Sequence, residues 1–113
     1  MWAKIVDGFR CDVASLVPIE FWNRARKEVA EVNPDCLWLA ESVEYGLIKY
    51  ARDTGFNCLS DSELYQAFDI LYDYDVYPKY LAYVDREIPL SEYINALNQQ
   101  EYIYPENYIK LRC

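Results

Sequence analysis

The sequence predicts an α/β fold built on a parallel β-sheet, and three features support this prediction. Segments with strand-like and helix-like apolar spacing alternate along the chain, as they do in βα repeats. Residues 36–43, CLWLAESV, form a continuous apolar run of strand length, which is typical of a parallel strand covered on both faces. The 113 residues contain no linker, repeat or low-complexity segment, so a single unit over residues 1–113 is expected.

The first half of the chain contains two predicted strands separated by a helix. The first strand candidate is 6–14, VDGFRCDVA, and the second is 36–43. Between them, Pro18 suits the first turn of a helix over 19–32, which the Asn-Pro-Asp stretch 33–35 ends. The apolar residues at helical spacing, which are expected to face the core, are Phe21, Ala25, Val29 and Val32.

Two further helices are predicted after the second strand. Residues 43–56 have the pattern of a helix that closes near Gly55. Ser60 is followed three residues later by Glu63, which is the pattern of a capping box at the start of the next helix.

The last part of the chain is predicted to hold two strands with two helices between them. The strands are 68–75, FDILYDYD, and 107–113, NYIKLRC. The helices are 77–88 and 90–100, and Ser91 is the predicted N-cap of the second.

The composition excludes several classes of function. The net charge is −8, whereas nucleic-acid binding needs a basic face. No apolar run is long enough to span a membrane, and the N-terminal sequence lacks the pattern of a cleavable signal, so a cytoplasmic chain without a membrane partner is expected. The absence of histidine removes most zinc sites, the Ser-His-Asp triad and the Cys-His dyad. The three glycines do not cluster, so no phosphate-binding loop is expected.

The four cysteines are scattered and form no CxxC pair. Cys11 and Cys36 lie in apolar, strand-like runs, where a cysteine usually acts as a small buried hydrophobe. Reduced thiols of the cytoplasmic type are expected, while a disulfide among the four cysteines stays open.

Two charged residues lie in the first predicted strand, where a buried charge needs an ion-pair partner or a functional role. With the strand period of two, Arg10 and Asp12 share one face, and Asp12 lies at the carboxyl end. The apolar Phe9, Cys11 and Val13 form the other face, which is suited to packing under helices.

The second predicted strand brings another carboxylate to the same end of the sheet. Leu37, Leu39 and Glu41 share a face, and Glu41 closes the strand. Adjacent strands lie about 4.8 Å apart, and a retaining glycosidase needs its two carboxyl groups at about 5–5.5 Å. Arg10 would keep Asp12 ionised. The alternatives are that the strand-end carboxylates cap helices or face solvent, and that Arg10 and Asp12 form a structural ion pair.

The segment DGFRCDVA resembles the second signature region of the alpha-amylase family of glycoside hydrolases, whose pattern is Gly-Phe-Arg-x-Asp. WLAESV is similar to the acid/base strand of that family, and the spacing between Asp12 and Glu41 agrees with it. AFDILYDYD and YIKLRC resemble the sixth and seventh barrel strands. The resemblance implies a fragment of a catalytic (β/α)₈ barrel over residues 1–113, about strands four to seven, incomplete at both ends.

The resemblance implies a retaining, double-displacement reaction on α-linked glucans or maltooligosaccharides. Asp12 resembles the nucleophile, Glu41 the general acid/base, and Arg10 the arginine that orients and ionises the nucleophile. A transglycosylase or isomerase of the same family would use the same intermediate. An alternative from another class is a non-catalytic half-barrel that assembles with a second chain.

The sequence also departs from the family pattern. The family's Asp-x-x-x-Asn-His region and its Asn-His-Asp region, with the third carboxylate, fall outside residues 1–113. Ser15 and Leu16 occupy positions that often hold Lys-His, so no cofactor is expected and the family's structural calcium is not implied. The isolated chain is therefore expected to be inactive, and its open strand edges and inner face are expected to make it self-associate.

Overall fold

The computed structural model describes residues 2–112, which contain one sheet of four parallel strands in the order β1-β2-β3-β4. The strands are β1 (Gly8–Cys11), β2 (Leu37–Ala40), β3 (Ile70–Tyr72) and β4 (Ile109–Leu111). Each strand pairs with the next one along the chain, with helices in the connections. The predicted α/β class and parallel sheet are confirmed.

Helices fill every connection between the strands. None of the helices in the described part of the chain is long and apolar enough to cross a membrane. Short 3₁₀ turns stand at Trp2–Lys4 and Ala14–Leu16. The helices are α1 (Ile19–Ala30), α2 (Tyr45–Asp53), α3 (Asp61–Leu64), α4 (Tyr77–Val84) and α5 (Leu90–Ile103).

The hydrophobic core lies on one face of the sheet. Trp38 and Ala40 of β2 and Leu71 of β3 are buried there, and Phe9 and Cys11 of β1 pack against them. The face predicted for Phe9 and Cys11 is therefore confirmed, whereas Val13, which was predicted on the same face, lies beyond the end of β1 and outside this core cluster. Because side chains alternate along a strand, Arg10 points to the opposite face, which is named the open face below.

Helix α1 meets the core with a face that differs from the predicted one. Phe21 is 55% exposed and Val32 lies beyond the end of the helix, so their assignment to the core was wrong. The bulkier Trp22 takes the core position next to Phe21, and its Nε1 donates a hydrogen bond to the Ala14 carbonyl at 3.0 Å. The α1 residues that pack against the core are Ile19, Trp22, Ala25 and Val29.

One other detail of the prediction was wrong, and it concerns α5. The open face of β2 agrees with the expected half-barrel, because Leu37 is 55% exposed there. Ser91 lies inside α5 rather than capping it, because the helix begins at Leu90 with Pro89 as its N-cap. Proline suits a helix start because it has no backbone N–H that needs a partner.

Several local predictions are confirmed. Ser60 and Glu63 form both hydrogen bonds of the capping box that starts α3. Gly55 has φ 86° just after α2, a left-handed conformation that glycine adopts at little cost. Within the described residues Cys11, Cys36 and Cys58 have free thiols, and Cys113 lies outside those residues, so the reduced state of all four cysteines stays a prediction.

Candidate active site

The carboxyl ends of β1 and β2 bring Asp12 and Glu41 to the same edge of the sheet. The two strands are parallel, and Cys11 stands opposite Ala40 in their register. Asp12 and Glu41 are the next residues, so both follow their strands at the same level. The predicted common edge is confirmed, while the predicted distance between the two carboxyl groups stays a prediction.

A one-residue bulge shapes the chain at Asp12. The Glu41 N–H donates to the Cys11 carbonyl at 2.9 Å, but the Glu41 carbonyl accepts from the N–H of Ala14 at 2.9 Å, where regular parallel pairing would use Val13. Val13 adopts φ 42° and ψ 44°, a left-handed conformation that is an outlier for a β-branched residue. Its N–H, released from the ladder, donates to Glu41 Oε2 at 3.1 Å.

Arg10 contacts both carboxyl groups. Its Nη1 donates to Asp12, and its Nη2 lies 3.2 Å from Glu41 Oε2. The hydrogen bond from Arg10 holds the pKa of Asp12 below its usual range, so Asp12 is ionised at neutral pH. The Asp12 side chain is 74% exposed and the Glu41 side chain 22% exposed. An accessible anion thus lies beside a more enclosed carboxyl group.

Two tyrosines at the carboxyl end of β3 complete the cluster. Tyr74 donates from its hydroxyl to Glu41 Oε1 at 3.1 Å. The guanidinium carbon of Arg10 lies 5.7 Å from the centroid of the Tyr72 ring, within the range of a cation–π contact. The two tyrosine rings stack with centroids 5.8 Å apart and an interplanar angle of 11°.

Neither tyrosine had been assigned a role from the sequence. The strand period of two places Tyr72 on the open face with Arg10, and this was the one feature of the sequence that could have assigned Tyr72 to the site. Tyr74 lies beyond the end of β3, where the period no longer predicts a direction. Burial and then the bond to Glu41 raise the pKa of Tyr74, so its hydroxyl keeps its proton at neutral pH and acts as a donor.

An open groove of about 530 Å³ begins at Glu41. Its walls come from the segments that follow β2 and β3, and aliphatic and aromatic side chains dominate them. Ser42 is buried in the wall, and its hydroxyl has no hydrogen-bond partner among the described residues. Besides Glu41 and Ser42, the lining residues are Val13, Val43, Glu44, Leu47, Tyr74, Tyr77 and Pro78.

A separate charged network lies on the core side of the sheet. The Lys110 ammonium, only 2% exposed, contacts the carboxylates of Asp61 and Asp75. Gln100 and Tyr104 also donate to Asp75, at 3.1 and 2.6 Å. Burial acts to raise the pKa of Asp75, but a hydrogen bond with Asp73, the bonds from Tyr104 and Gln100 and the Lys110 charge outweigh it and leave the pKa well below normal. This network joins β4 to α3 and α5, because Lys110 of β4 contacts Asp61 of α3 and also Asp75, which accepts a hydrogen bond from Gln100 of α5.

The side chains of Ser15 and Leu16 offer a calcium ion one oxygen between them. Calcium takes six to eight oxygen ligands, usually including several carboxylates. Ser15 is fully buried and supplies one hydroxyl, while Leu16 has an exposed aliphatic side chain. Within residues 2–112, no group of three or more Cys, Asp or Glu side chains is placed to hold a metal ion. That no cofactor is needed remains a prediction.

Two solved structures share the fold of this chain. The alpha-amylase from Lactobacillus plantarum matches it with a TM-score of 0.91 and 49% identity over 96% of the chain. The maltogenic alpha-amylase AmyB from Thermotoga neapolitana matches it with a TM-score of 0.71 and 40% identity over 96% of the chain. The matched regions make up 26% and 22% of those two proteins.

One curated relative agrees with these matches. The alpha-amylase MalA from Haloarcula japonica is 41% identical over 44 residues, which are 39% of this chain and 7% of that protein. No protein-family model matches the chain. The resemblance found in the sequence is thus confirmed over nearly the whole chain, and the sheet corresponds to part of a (β/α)₈ barrel.

Proposed function

Because this chain is similar over nearly its whole length to one part of the alpha-amylase barrel, we propose that it carries two catalytic carboxyl groups of a retaining glycoside hydrolase acting on α-linked glucans. The observation that carries the proposal is the contact of one guanidinium, Arg10, with both Asp12 and Glu41 at the carboxyl ends of adjacent parallel strands. Barrel enzymes build their active sites at this end of the sheet.

The geometry suits a reaction in two steps. In the first, the Asp12 carboxylate attacks the anomeric carbon while the bond to the leaving oxygen breaks and Glu41 gives that oxygen a proton. In the second, Glu41 takes a proton from water, the water oxygen bonds to the anomeric carbon, and the bond to Asp12 breaks. The hydrogen bond from Arg10 lowers the pKa of Asp12, so Asp12 is ionised when it attacks. An acceptor sugar in place of water would give transfer or isomerisation.

The relatives and the groove support a proposal for the substrate class. We propose that the substrate is a maltooligosaccharide or a longer α-glucan. The groove beside Glu41 would hold the part of the glucan that departs as the leaving group. Aromatic and aliphatic walls suit the apolar faces of sugar rings. The three free thiols, two of them buried, suit a reducing compartment such as the cytoplasm, which is the location we propose.

Substitution of the two carboxyl groups in the complete protein tests the proposal. Asp12→Asn and Glu41→Gln should each lower kcat on maltooligosaccharides by at least about 1,000-fold, because one removes the nucleophile and the other the proton donor. Glu31→Gln, at an exposed carboxylate after α1, is the matched control and should keep full activity. Full activity in Asp12→Asn would contradict the proposed role.

The 113-residue chain alone is proposed to be inactive and to associate with another chain. The Asp12 side chain is largely exposed, so water is not excluded from the site. Leu37, Ile109 and Leu111 expose apolar surface on the open face, which favours a second candidate function as a half-barrel that assembles with a partner.

A further inference from the structure

The two oxygens of the Glu41 carboxyl group have different surroundings. Oε2 faces two donors, the Arg10 guanidinium at 3.2 Å and the Val13 N–H at 3.1 Å. Oε1 has one described hydrogen-bond partner, the Tyr74 hydroxyl at 3.1 Å. A carboxyl oxygen that already accepts from a cation and a backbone N–H is poorly placed to carry a proton of its own.

We propose that Tyr74 is a positioning residue that holds Oε1 of Glu41 toward the groove, and that Oε1 is the oxygen that exchanges the proton with the glucan. The inference rests on the proposed function. Both Glu41 and Tyr74 line the groove, so a glycosidic oxygen bound there would meet the carboxyl group on the side that Tyr74 orients. The Tyr74 hydroxyl donates a hydrogen bond to Oε1 when Glu41 is ionised, and it can accept one when Oε1 carries the proton.

The surroundings of Tyr74 separate this role from simple packing. Tyr74 is 42% exposed as a residue, so it is not a core side chain that is fixed by burial. Its ring already has a packing role in the stack with Tyr72, and a phenylalanine ring would keep that stack. A structural role therefore needs the ring, whereas the proposed role needs the hydroxyl.

The test compares two substrates in the complete protein. Maltooligosaccharides have a poor leaving group that needs a proton, whereas an aryl maltoside with an acidic phenol leaves without one. The kcat/KM of Tyr74→Phe should fall about ten-fold on maltooligosaccharides and less than two-fold on the activated aryl maltoside, because kcat/KM reports the step in which Glu41 acts as an acid. Tyr83→Phe, an exposed tyrosine on α4 that stacks on Tyr93, is the matched control and should match the wild type on both substrates.

The outcomes distinguish this inference from the proposed function. Glu41→Gln should itself lose far more activity on maltooligosaccharides than on the aryl maltoside. If it does and Tyr74→Phe is unchanged, or falls equally on both substrates, the role of Tyr74 is overturned while the function stands. If Glu41→Gln keeps wild-type activity on maltooligosaccharides, the proposed function fails.

A second measurement reports the contact without activity. The ionisation of Tyr74 is measured as the difference between the pH titrations of phenolate absorbance for the wild type and for Tyr74→Phe. In a Glu41→Gln background the same difference should titrate at lower pH, because the carboxylate that holds the phenol proton is gone. An unchanged titration would show that Tyr74 and Glu41 do not interact in solution, and the inference would fall.

Discussion

At the scale of single residues, one positive charge organises the candidate site. Arg10 lies between two carboxyl groups and over the face of Tyr72, so its planar guanidinium is held on three sides. A lysine at this position could not contact both carboxyl groups in the same plane. The guanidinium thus orients Asp12 and lowers its pKa.

Arg10→Gln should raise the pKa of Asp12. The folded-state pKa of Asp12 is lowered, first by the hydrogen bond from Arg10, so the pair stabilises the fold at pH values above the unfolded pKa of about 3.9. That contribution is lost as the pH falls through the folded pKa, and in the variant the loss should begin at higher pH. The carboxyl ¹³C shift of Asp12, followed against pH, measures the change. Arg24→Gln, which breaks only an exposed pair with Glu28 on α1, should leave the Asp12 midpoint where it is.

At the scale of secondary-structure elements, a close approach of two backbones aligns the edge of the sheet that carries Asp12 and Glu41. A Cβ added at Gly8 of β1 would lie 2.6 Å from the backbone carbonyl oxygen of Leu37 in β2. Only glycine therefore permits the register that places Asp12 level with Glu41. Gly46 in α2 has open surroundings, with its nearest neighbour 4.0 Å from such a Cβ.

Gly8→Ala and Gly46→Ala should change stability in opposite directions. The first should destabilise the fold by about 1–3 kcal/mol, because the β1 and β2 backbones must separate. The second should stabilise it by about 0.5 kcal/mol, because alanine loses less conformational freedom in a helix. Urea unfolding of the complete protein measures both, and a neutral Gly8→Ala would show that the two strands have room to move apart.

Most of the elements could be predicted from the sequence because their signals are local. The capping box at Ser60 and the glycine at the end of α2 each depend on a few neighbouring residues, and both were confirmed. The sequence did not distinguish which side of α1 faces the core, because Phe21 and Trp22 are adjacent and both large. The buried ion pairs of Lys110 could not be predicted, since its partners Asp61 and Asp75 are distant in sequence.

The residues of the candidate site also fall into two groups, those that could be predicted from the sequence and those that could not. Arg10, Asp12 and Glu41 could be identified because strand period and parallel pairing place them together without knowledge of any loop. Val13 and Tyr74 could not be identified. The left-handed conformation of Val13 opposes the intrinsic preference of valine, and Tyr74 lies in a turn after its strand.

At the scale of the whole molecule, the sheet has one face packed by helices and one open face. β1 and β4 each have a single neighbouring strand, so each leaves an edge of unpaired backbone groups. Leu37, Ile109 and Leu111 stand in the open face and are all at least 40% exposed. Apolar surface and open edges on the same side favour contact with further polypeptide.

The 113-residue chain on its own should associate as its concentration rises. Light scattering across a dilution series should show a mass above that of the monomer, and Leu37→Glu with Ile109→Glu should lower it, because charges on the open face resist pairing. Tyr102→Glu, at a residue that is 91% exposed on α5, is the control and should associate like the wild type. A monomer at every concentration would contradict the expectation.

The bulge after β1 also limits how the gene can change length. Deleting the codon for Val13 would let the next N–H take its place opposite Glu41 and restore a regular ladder, but the carboxyl group would lose its backbone donor. An added codon would push Asp12 out of line with Glu41. Among related genes, insertions and deletions should therefore be rare between β1 and the 3₁₀ turn Ala14–Leu16, and more common in the exposed connection between α4 and α5.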